Sequence, residues 1–323
     1  MKKKMIALAS LGLVCATFFL SCESNNQAEE EQLYIALEIP AKIISNAQAA
    51  RLFRNDQQTR LEQIGKANTR FEDKAIHFDL STLENYIYRL ETLATANNIS
   101  VTGASFVFGV DTDGKRTVFL MPSTHNEHLD YQESFTIENE QFLTFKHVDS
   151  SLKLQVNSQN DENLVLSPNG YVSFNEAVTQ FNNYQTQYIQ PFAKKVTKEY
   201  YTKAVWYSLN EFKEYFQYLK KKSTQYNLAI TGVDVFFGVY DNDSSLALKS
   251  NAQTVFLTAS TQKQSIVNST GKSLQSLSQE EFMAKERTDE SSESLTFNIG
   301  HLSPPPYTKK CYDEHGNRIP CEE

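Results

Sequence analysis

Thr117-Val118-Phe119-Leu120 recurs letter for letter as Thr254-Val255-Phe256-Leu257, and the fold prediction starts from this repeated apolar stretch. Upstream, Ile76-His77-Phe78-Asp79-Leu80 is matched in kind by Val205-Trp206-Tyr207-Ser208-Leu209. Matching residues lie 129 positions apart before a turn and 137 after it, so the second copy carries extra residues where insertions cost least. A period this long indicates a duplicated domain rather than a solenoid of short repeats.

Each copy has the order helix, strand, helix, strand, strand. Apolar residues at helical spacing over residues 83–94 predict the second helix. Ser81 and Glu84 have the spacing of a capping box at its start, and Asn210 is the matching cap in the second copy. The next strand changes phase at Gly103, which is typical of a β-bulge, and residues 111–114 predict a hairpin turn.

The repeat predicts a mixed α+β or α/β fold of two tandem homologous modules, each with a mixed or antiparallel sheet. We expect the first module at residues 33–166 and the second at residues 167–300, because Ser167-Pro168-Asn169-Gly170 predicts a turn between them. The hairpin strands are antiparallel, whereas a strand–helix–strand unit allows a parallel first strand. Residues 301–323 form a separate proline-rich tail with two cysteines.

The N-terminus has the pattern of an export signal. Lys2, Lys3 and Lys4 precede an apolar run, which predicts a secretory signal peptide over residues 1–21. Leu20-Ser21-Cys22 resembles the lipobox of bacterial lipoproteins. The resemblance implies that Cys22 becomes the mature N-terminus and carries acyl chains such as palmitate, which anchor the protein in a membrane. The alternative is an ordinary signal peptide with a chance cysteine.

An acidic tether follows over residues 22–32. Its Gln27-Ala28-Glu29-Glu30 is similar to the lipoprotein export signal of Bacteroidota, which implies an outer-membrane lipoprotein at the cell surface; a solvated tether is the alternative. With the doubled Thr-Gly, Phe-Gly-Val and Thr-Val-Phe-Leu pattern, these motifs make the whole mature chain resemble the duplicated lipoproteins of Bacteroidota. The resemblance implies no activity, and the functional residue that it carries over is Cys22.

The charge balance limits the partners. The full chain has 31 Lys and Arg against 39 Asp and Glu, a net charge of −8, and removal of residues 1–21 takes lysines away but no acidic residue. A surface this acidic argues against nucleic acid as a partner, and against anionic lipid held through a basic face. We therefore expect the N-terminal lipid to make the membrane contact.

The tail offers two cysteines for a disulfide. Cys15 leaves with the signal peptide and Cys22 is lipidated, so Cys311 and Cys321 remain to pair outside the cytoplasm. Closing so short a loop contributes about 2–3 kcal/mol in the chain-entropy model. A metal site that uses Cys311, His315 and Cys321 is the alternative.

His125-Asn126-Glu127-His128 holds the close histidine pair of the sequence and is the candidate metal site. Two imidazoles three positions apart can share a metal, but these follow a strand and match no metalloprotease spacing, so exposed loop histidines are the alternative. Asp111 and Asp113, with Asp241 and Asp243 in the second copy, suggest either a calcium site or ordinary hairpin turns.

The sequence contains no Gly-x-Ser-x-Gly elbow, no phosphate-binding glycine loop and no dinucleotide fingerprint. We therefore predict a non-catalytic envelope lipoprotein without a cofactor, which binds a protein or glycan partner in a cleft between the two copies. Two alternatives are a metal-assisted hydrolase that uses His125, Glu127 and His128, and a structural subunit of a surface assembly.

Overall fold

The structure, a computed structural model, describes residues 39–66, 75–97, 100–126, 131–138, 141–144, 163–194, 201–261, 264–266, 294–298, 300–303, 311–312 and 318–319. Residues Pro40–Glu323 form one compact unit, and the other unit, Met1–Ile39, contributes Ile39 alone to the described residues. The predictions about the signal peptide, Cys22 and the acidic tether therefore lie outside the described residues. Within the described ranges, no helix has both the length and the apolar character needed to cross a membrane.

Two successive sets of elements follow the two sequence copies. The first set is β1 (Ile43–Ile44), α1 (Asn46–Asp56), β2 (Ile76–Asp79), α2 (Leu80–Asn97), β3 (Gly103–Val110), β4 (Arg116–Asn126), β5 (Tyr131–Glu138) and β6 (Gln141–Thr144). The second set is β7 (Leu166–Ser167), β8 (Gly170–Tyr171), α3 (Phe174–Tyr184), α4 (Gln190–Ala193), β9 (Ala204–Ser208), α5 (Leu209–Tyr226), β10 (Gly232–Val239), β11 (Gln253–Thr261) and β12 (Gln264–Ile266). The C-terminal part adds β13 (Thr296–Phe297), β14 (His301–Ser303), β15 (Cys311–Tyr312) and β16 (Arg318–Ile319).

Capping side chains fix where the two long helices begin. The hydroxyl of Ser208 accepts a hydrogen bond from the N–H of Glu211, whose carboxylate accepts one from the N–H of Ser208, so a capping box opens α5. α2 begins in the same way at Asp79, whose carboxylate accepts from the N–H three residues on at 2.8 Å. The caps predicted at Ser81 and Asn210 are therefore wrong by two residues, because an earlier polar side chain takes that role in each copy.

The strands form two antiparallel sheets and a separate β15–β16 hairpin. The first sheet has the order β1-β13-β11-β10-β2, with β12 beside β11. The second has the order β14-β9-β3-β4-β5-β6, with β7 beside β4 and β8 beside β7. A mixed α+β fold with antiparallel sheets is thus confirmed, and no parallel pair occurs among the described strands.

Each sheet combines strands of both copies. β2 of the first copy pairs with β10 of the second, with Asp79 opposite Gly232, and β9 of the second copy pairs with β3 of the first, with Ser208 opposite Gly103. These two pairings are equivalent, because Asp79 corresponds to Ser208 and Gly103 to Gly232 in the repeat. The copies have therefore exchanged their first strands, and two self-contained tandem modules are not confirmed.

The exchange places the repeated strands at the centre of the core. β3 and β10 are buried along their whole length. α1 packs on β10 and α3 packs on β3. Between the two sheets the rings of Phe108 and Phe237, which correspond in the repeat, lie with their centroids 5.1 Å apart. The predicted apolar run is buried as expected, from residue 117 to residue 121.

Two charge pairs join α2 to α5. The ammonium of Lys220 lies 2.8 Å from the carboxylate of Glu84, and Lys213 pairs with Glu91. The two pairs are equivalent in the repeat, since Glu84 corresponds to Lys213 and Glu91 to Lys220. The first copy supplies both glutamates and the second copy both lysines.

The phase slip before β3 corresponds to an extra residue in the strand. The N–H of Thr102 donates to the carbonyl oxygen of Ser123 at 2.8 Å, and Ser123 also stands opposite Gly103. Two residues thus oppose one, as in the predicted β-bulge. Only glycine fits at residue 103, because a Cβ atom there would lie 2.1 Å from the carbonyl oxygen of Tyr207 in the exchanged strand.

Candidate functional site

The C-terminal ends of α1 and α3 form the candidate site. Each helix continues into one π-helical turn, Gln57–Leu61 after α1 and Gln185–Ile189 after α3, at equivalent positions in the two copies. A π turn changes the direction of the side chains around it, and such turns are frequent at functional sites.

A buried ion pair lies where α1 ends. Arg116 of β4 donates two hydrogen bonds to the carboxylate of Asp56, at 3.0 and 2.6 Å. The Asp56 side chain is 0% exposed and that of Arg116 is 9% exposed. Gln253 Nε2 also donates to Asp56 at 3.3 Å, and the hydroxyl of Tyr184 donates to Gln253 Oε1 at 2.6 Å. These four side chains form one buried hydrogen-bonded group, the junction cluster.

The junction cluster is built from corresponding positions of the two copies. Asp56 corresponds to Tyr184, and Arg116 corresponds to Gln253. The first copy therefore makes an ionic contact where the second makes a neutral one, and the hydrogen bond from Gln253 to Asp56 joins the two. The two charges therefore both come from the first sequence copy, and the corresponding positions of the second copy hold uncharged side chains.

Two further cations lie next to the junction cluster. Arg60 donates to the carbonyl oxygen of Asn251 at 2.7 Å, and its guanidinium lies 4.1 Å from the ring centroid of Phe192. The ammonium of Lys66 lies 4.1 Å from the ring centroid of Tyr188. Both cations thus contact carbonyl oxygen or ring faces, and neither forms an ion pair among the described residues.

The pKa shifts follow from this arrangement. Burial acts to lower the pKa of Arg116, but the charge and hydrogen bonds of Asp56 outweigh it and raise that pKa. For Arg60 burial prevails over the more distant Asp56, and the pKa is lowered. Burial, and then the charge of Arg116, also lower the pKa of Lys66. Asp56 is therefore the counter-ion of Arg116, and Arg60 forms no ion pair with a carboxylate among the described residues.

A recess opens beside the junction cluster. Its walls include the guanidinium groups of Arg60 and Arg116 and the phenols of Tyr188 and Tyr201. Its volume is about 270 Å³ with the part open to solvent included, and the inner part has room for about one water. A ligand could therefore insert only a small polar group there.

A second polar group lies on β2 and β10. His77 Nδ1 lies 2.7 Å from the buried carboxylate of Asp234 and 3.3 Å from the hydroxyl of Ser260. A catalytic triad needs the serine on the other ring nitrogen, so this group does not have the geometry of a serine nucleophile and its base. The first strand of the other copy has Trp206 in place of His77, and Ser105 stands in place of Asp234.

The predicted metal site is only partly described. His125 lies in β4, opposite Gln132 of β5, with its side chain exposed. Its prediction as a loop residue is wrong, because β4 extends to Asn126. Glu127 and His128 lie outside the described residues. Among the residues that are described, no three His, Cys, Asp or Glu side chains come together as metal ligands.

The turn aspartates have backbone partners. The carboxylate of Asp111 accepts hydrogen bonds from the N–H groups of Asp113 and Lys115, at 3.0 and 2.8 Å, and that of Asp243 accepts from the N–H of Ser245 at 2.8 Å. These contacts are the ones expected of aspartates in turns.

The tail cysteines fall mostly outside the described residues. Cys311 lies in β15, but nothing describes its side chain, and Cys321 and His315 lie outside the described residues. The disulfide and the alternative metal site therefore stay predictions.

The junction cluster was not predicted from the sequence. A signal was present, because Asp56 and Arg60 continue the buried stripe of α1 that contains Leu52 and Phe53. Charged residues on an apolar stripe indicate buried pairing or a site. Nothing in the sequence pointed to Arg116 as the partner, since sixty residues separate it from Asp56.

No family model, no curated protein and no solved structure matches this chain. The fold and the site therefore define its class on their own: an α+β protein with antiparallel sheets and a buried ionic group at the end of α1.

Proposed function

We propose that the chain is a non-catalytic lipoprotein of the cell envelope, anchored through Cys22, and that it binds a protein or glycan partner at the recess beside the junction cluster. The observation that carries the proposal is the position of the recess, which lies where corresponding residues of the two copies meet. Ligand sites occur preferentially at such contacts between repeated units. The cationic, aromatic walls also stand out on a chain whose net charge is −8.

The proposal includes an origin by duplication. The equivalent pairings of β2 with β10 and of β9 with β3 support it, as do the π turns at matching positions. In this view the two modules are homologous but share their sheets. The recess was then formed by the contact, and one copy acquired the charges.

The experiment is affinity capture from envelope fractions with the purified protein. We expect the protein to retain an envelope protein or glycan, and Arg60→Gln to lose it while Arg51→Gln, an exposed arginine of the same region, retains it. Capture of nothing by the wild-type protein contradicts the proposal.

The same purified protein separates the two other candidates. Stoichiometric bound metal that is lost in His125→Ala indicates the metal-assisted hydrolase. A partner that remains bound through purification in fixed proportion indicates a structural subunit of a surface assembly.

A further inference from the structure

Arg60 holds a buried positive charge that the described part of the chain does not neutralise. Arg60 as a whole is 8% exposed. Its two described hydrogen bonds go to carbonyl oxygens, that of Asn251 at 2.7 Å and that of Thr59 at 3.3 Å. A carbonyl oxygen satisfies a donor but does not cancel a charge, and a buried charge without a counter-ion is costly.

The one carboxylate of the junction cluster accepts its hydrogen bonds from other donors. Arg116 donates two to Asp56 and Gln253 donates one. A longer one comes from Gln57, so the lone pairs of Asp56 face those donors. Arg116 also lines the recess, and Lys66 lies over the ring of Tyr188 at its wall. Among the described residues, three cations therefore lie at or beside the recess and the junction cluster supplies one carboxylate, on a protein that is acidic as a whole.

The size of the recess restricts the anion that could supply the missing charge. Its inner part has room for about one water, so one oxygen of an anion could enter it while the rest of the anion stays in the open part. A carboxylate is flat and presents two oxygens, the geometry to which a guanidinium donates in parallel. The body of such a ligand would remain in the open part of the recess, beside the phenols of Tyr188 and Tyr201.

We infer that the recess is a binding site for the carboxylate group of a small organic acid, with Arg60 as the residue that pairs with it. This inference rests on the proposed function, because it takes the recess as the ligand site. It adds the chemistry of the ligand, which neither the fold nor the comparisons with known proteins supply.

The test is calorimetric titration of the purified full chain with acetate, benzoate and glucuronate. Benzamide, glucose and inorganic phosphate serve as the neutral and tetrahedral controls. We expect the carboxylates to bind, the neutral compounds not to bind and phosphate to bind more weakly. Comparison of benzoate with glucuronate then shows whether an aromatic or a sugar body is preferred. Arg60→Gln should weaken carboxylate binding by roughly tenfold to a hundredfold, the loss of one charge-assisted hydrogen-bonded pair, and Arg51→Gln should not change it.

A second measurement separates a binding role from a structural one. If Arg60 is present to meet a ligand, Arg60→Gln without ligand should unfold at the same denaturant concentration as the wild type or at a higher one. A clearly lower unfolding midpoint overturns the inference. Two results of the titration also overturn it: no carboxylate binding at millimolar concentration, or an affinity for phosphate equal to that for the carboxylates. If an envelope partner is captured and no carboxylate displaces it, the inference about the carboxylate is wrong and the proposed function is supported. If carboxylates bind but no partner is captured, the proposed function is wrong and the carboxylate site is supported.

Discussion

Removal of the Arg116 side chain should destabilise the protein much more than removal of an exposed charge. In Arg116→Met, the carboxylate of Asp56 would remain 0% exposed and would lose both of its short hydrogen bonds. Breaking a buried pair from one side costs about 3–5 kcal/mol, because a buried charge is left uncompensated. Gln253 and Gln57 still donate to Asp56, so we expect a cost of about 3 kcal/mol, at the lower end of that range.

The other copy suggests how to remove the charges without that cost. Where the first copy has Asp56 and Arg116, the second joins Tyr184 to Gln253 in a neutral contact. We therefore expect the double variant Asp56→Asn, Arg116→Gln to recover most of the loss and to cost about 1 kcal/mol, the value of an ordinary hydrogen bond. The free energies of the single and double variants then form a double-mutant cycle whose coupling energy is large.

Urea unfolding followed by tyrosine fluorescence and circular dichroism measures these costs. Lys220→Met is the matched control, because it removes a cation that is 63% exposed from its pair with Glu84 and should cost about 1 kcal/mol or less. The denaturant slope should stay constant across the series. A cost below about 1 kcal/mol for Arg116→Met, or strictly additive costs in the cycle, would refute the reasoning.

Three further predictions concern two glycines of β3, a histidine of β14 and a helix end. Gly103→Ala should lower the free energy of unfolding in urea by about 3 kcal/mol, because its Cβ would lie 2.1 Å from the carbonyl oxygen of Tyr207. Gly109→Ala is the control and should cost clearly less, since a Cβ there would have no contact closer than 3.2 Å. Equal costs for the two variants contradict this. Partial burial, and then the charge of Lys42, lower the pKa of His301 below 6.5, so the unfolded chain binds more protons than the folded one. Stability should therefore fall as the pH drops through 6.5 toward the lowered pKa, and less steeply in His301→Asn when unfolding is measured across that window. Asn227→Ala should cost about 1 kcal/mol, since Asn227 ends α5 with φ at 51°, and an unchanged unfolding midpoint would count against it.

Elements that depend on neighbouring residues could be predicted from the sequence. The apolar stripe over residues 83–94 predicted α2, and the phase slip at Gly103 predicted the extra residue before β3. Both signals lie within one turn or one strand, so the residues that carry them are close in the chain. The buried run at residues 117–121 was predictable for the same reason.

Elements that depend on distant residues could not be predicted in this way. The alternation in residues 76–79 predicts a strand, but it does not say which strand lies beside it, and a pairing with β3 fitted the pattern as well as the observed pairing with β10. Asp56 and Arg116 are a similar case, because their contact arises from the path of the chain between them. The contacts of the candidate site therefore could not be predicted, although the sequence shows each of its residues.

The exchange of first strands sets the order in which the protein can finish folding. β3 needs β9 at its side, and β1 pairs with β13 near the end of the chain. During synthesis, β1 and β3 therefore have unpaired edges until residues 204–208 and 296–297 have been made. Pairing between strands so far apart in the chain is slow, and the unpaired edges favour aggregation before it is complete. The core is therefore complete only after β13 has been made, so its native strand pairings form together rather than one after another along the chain.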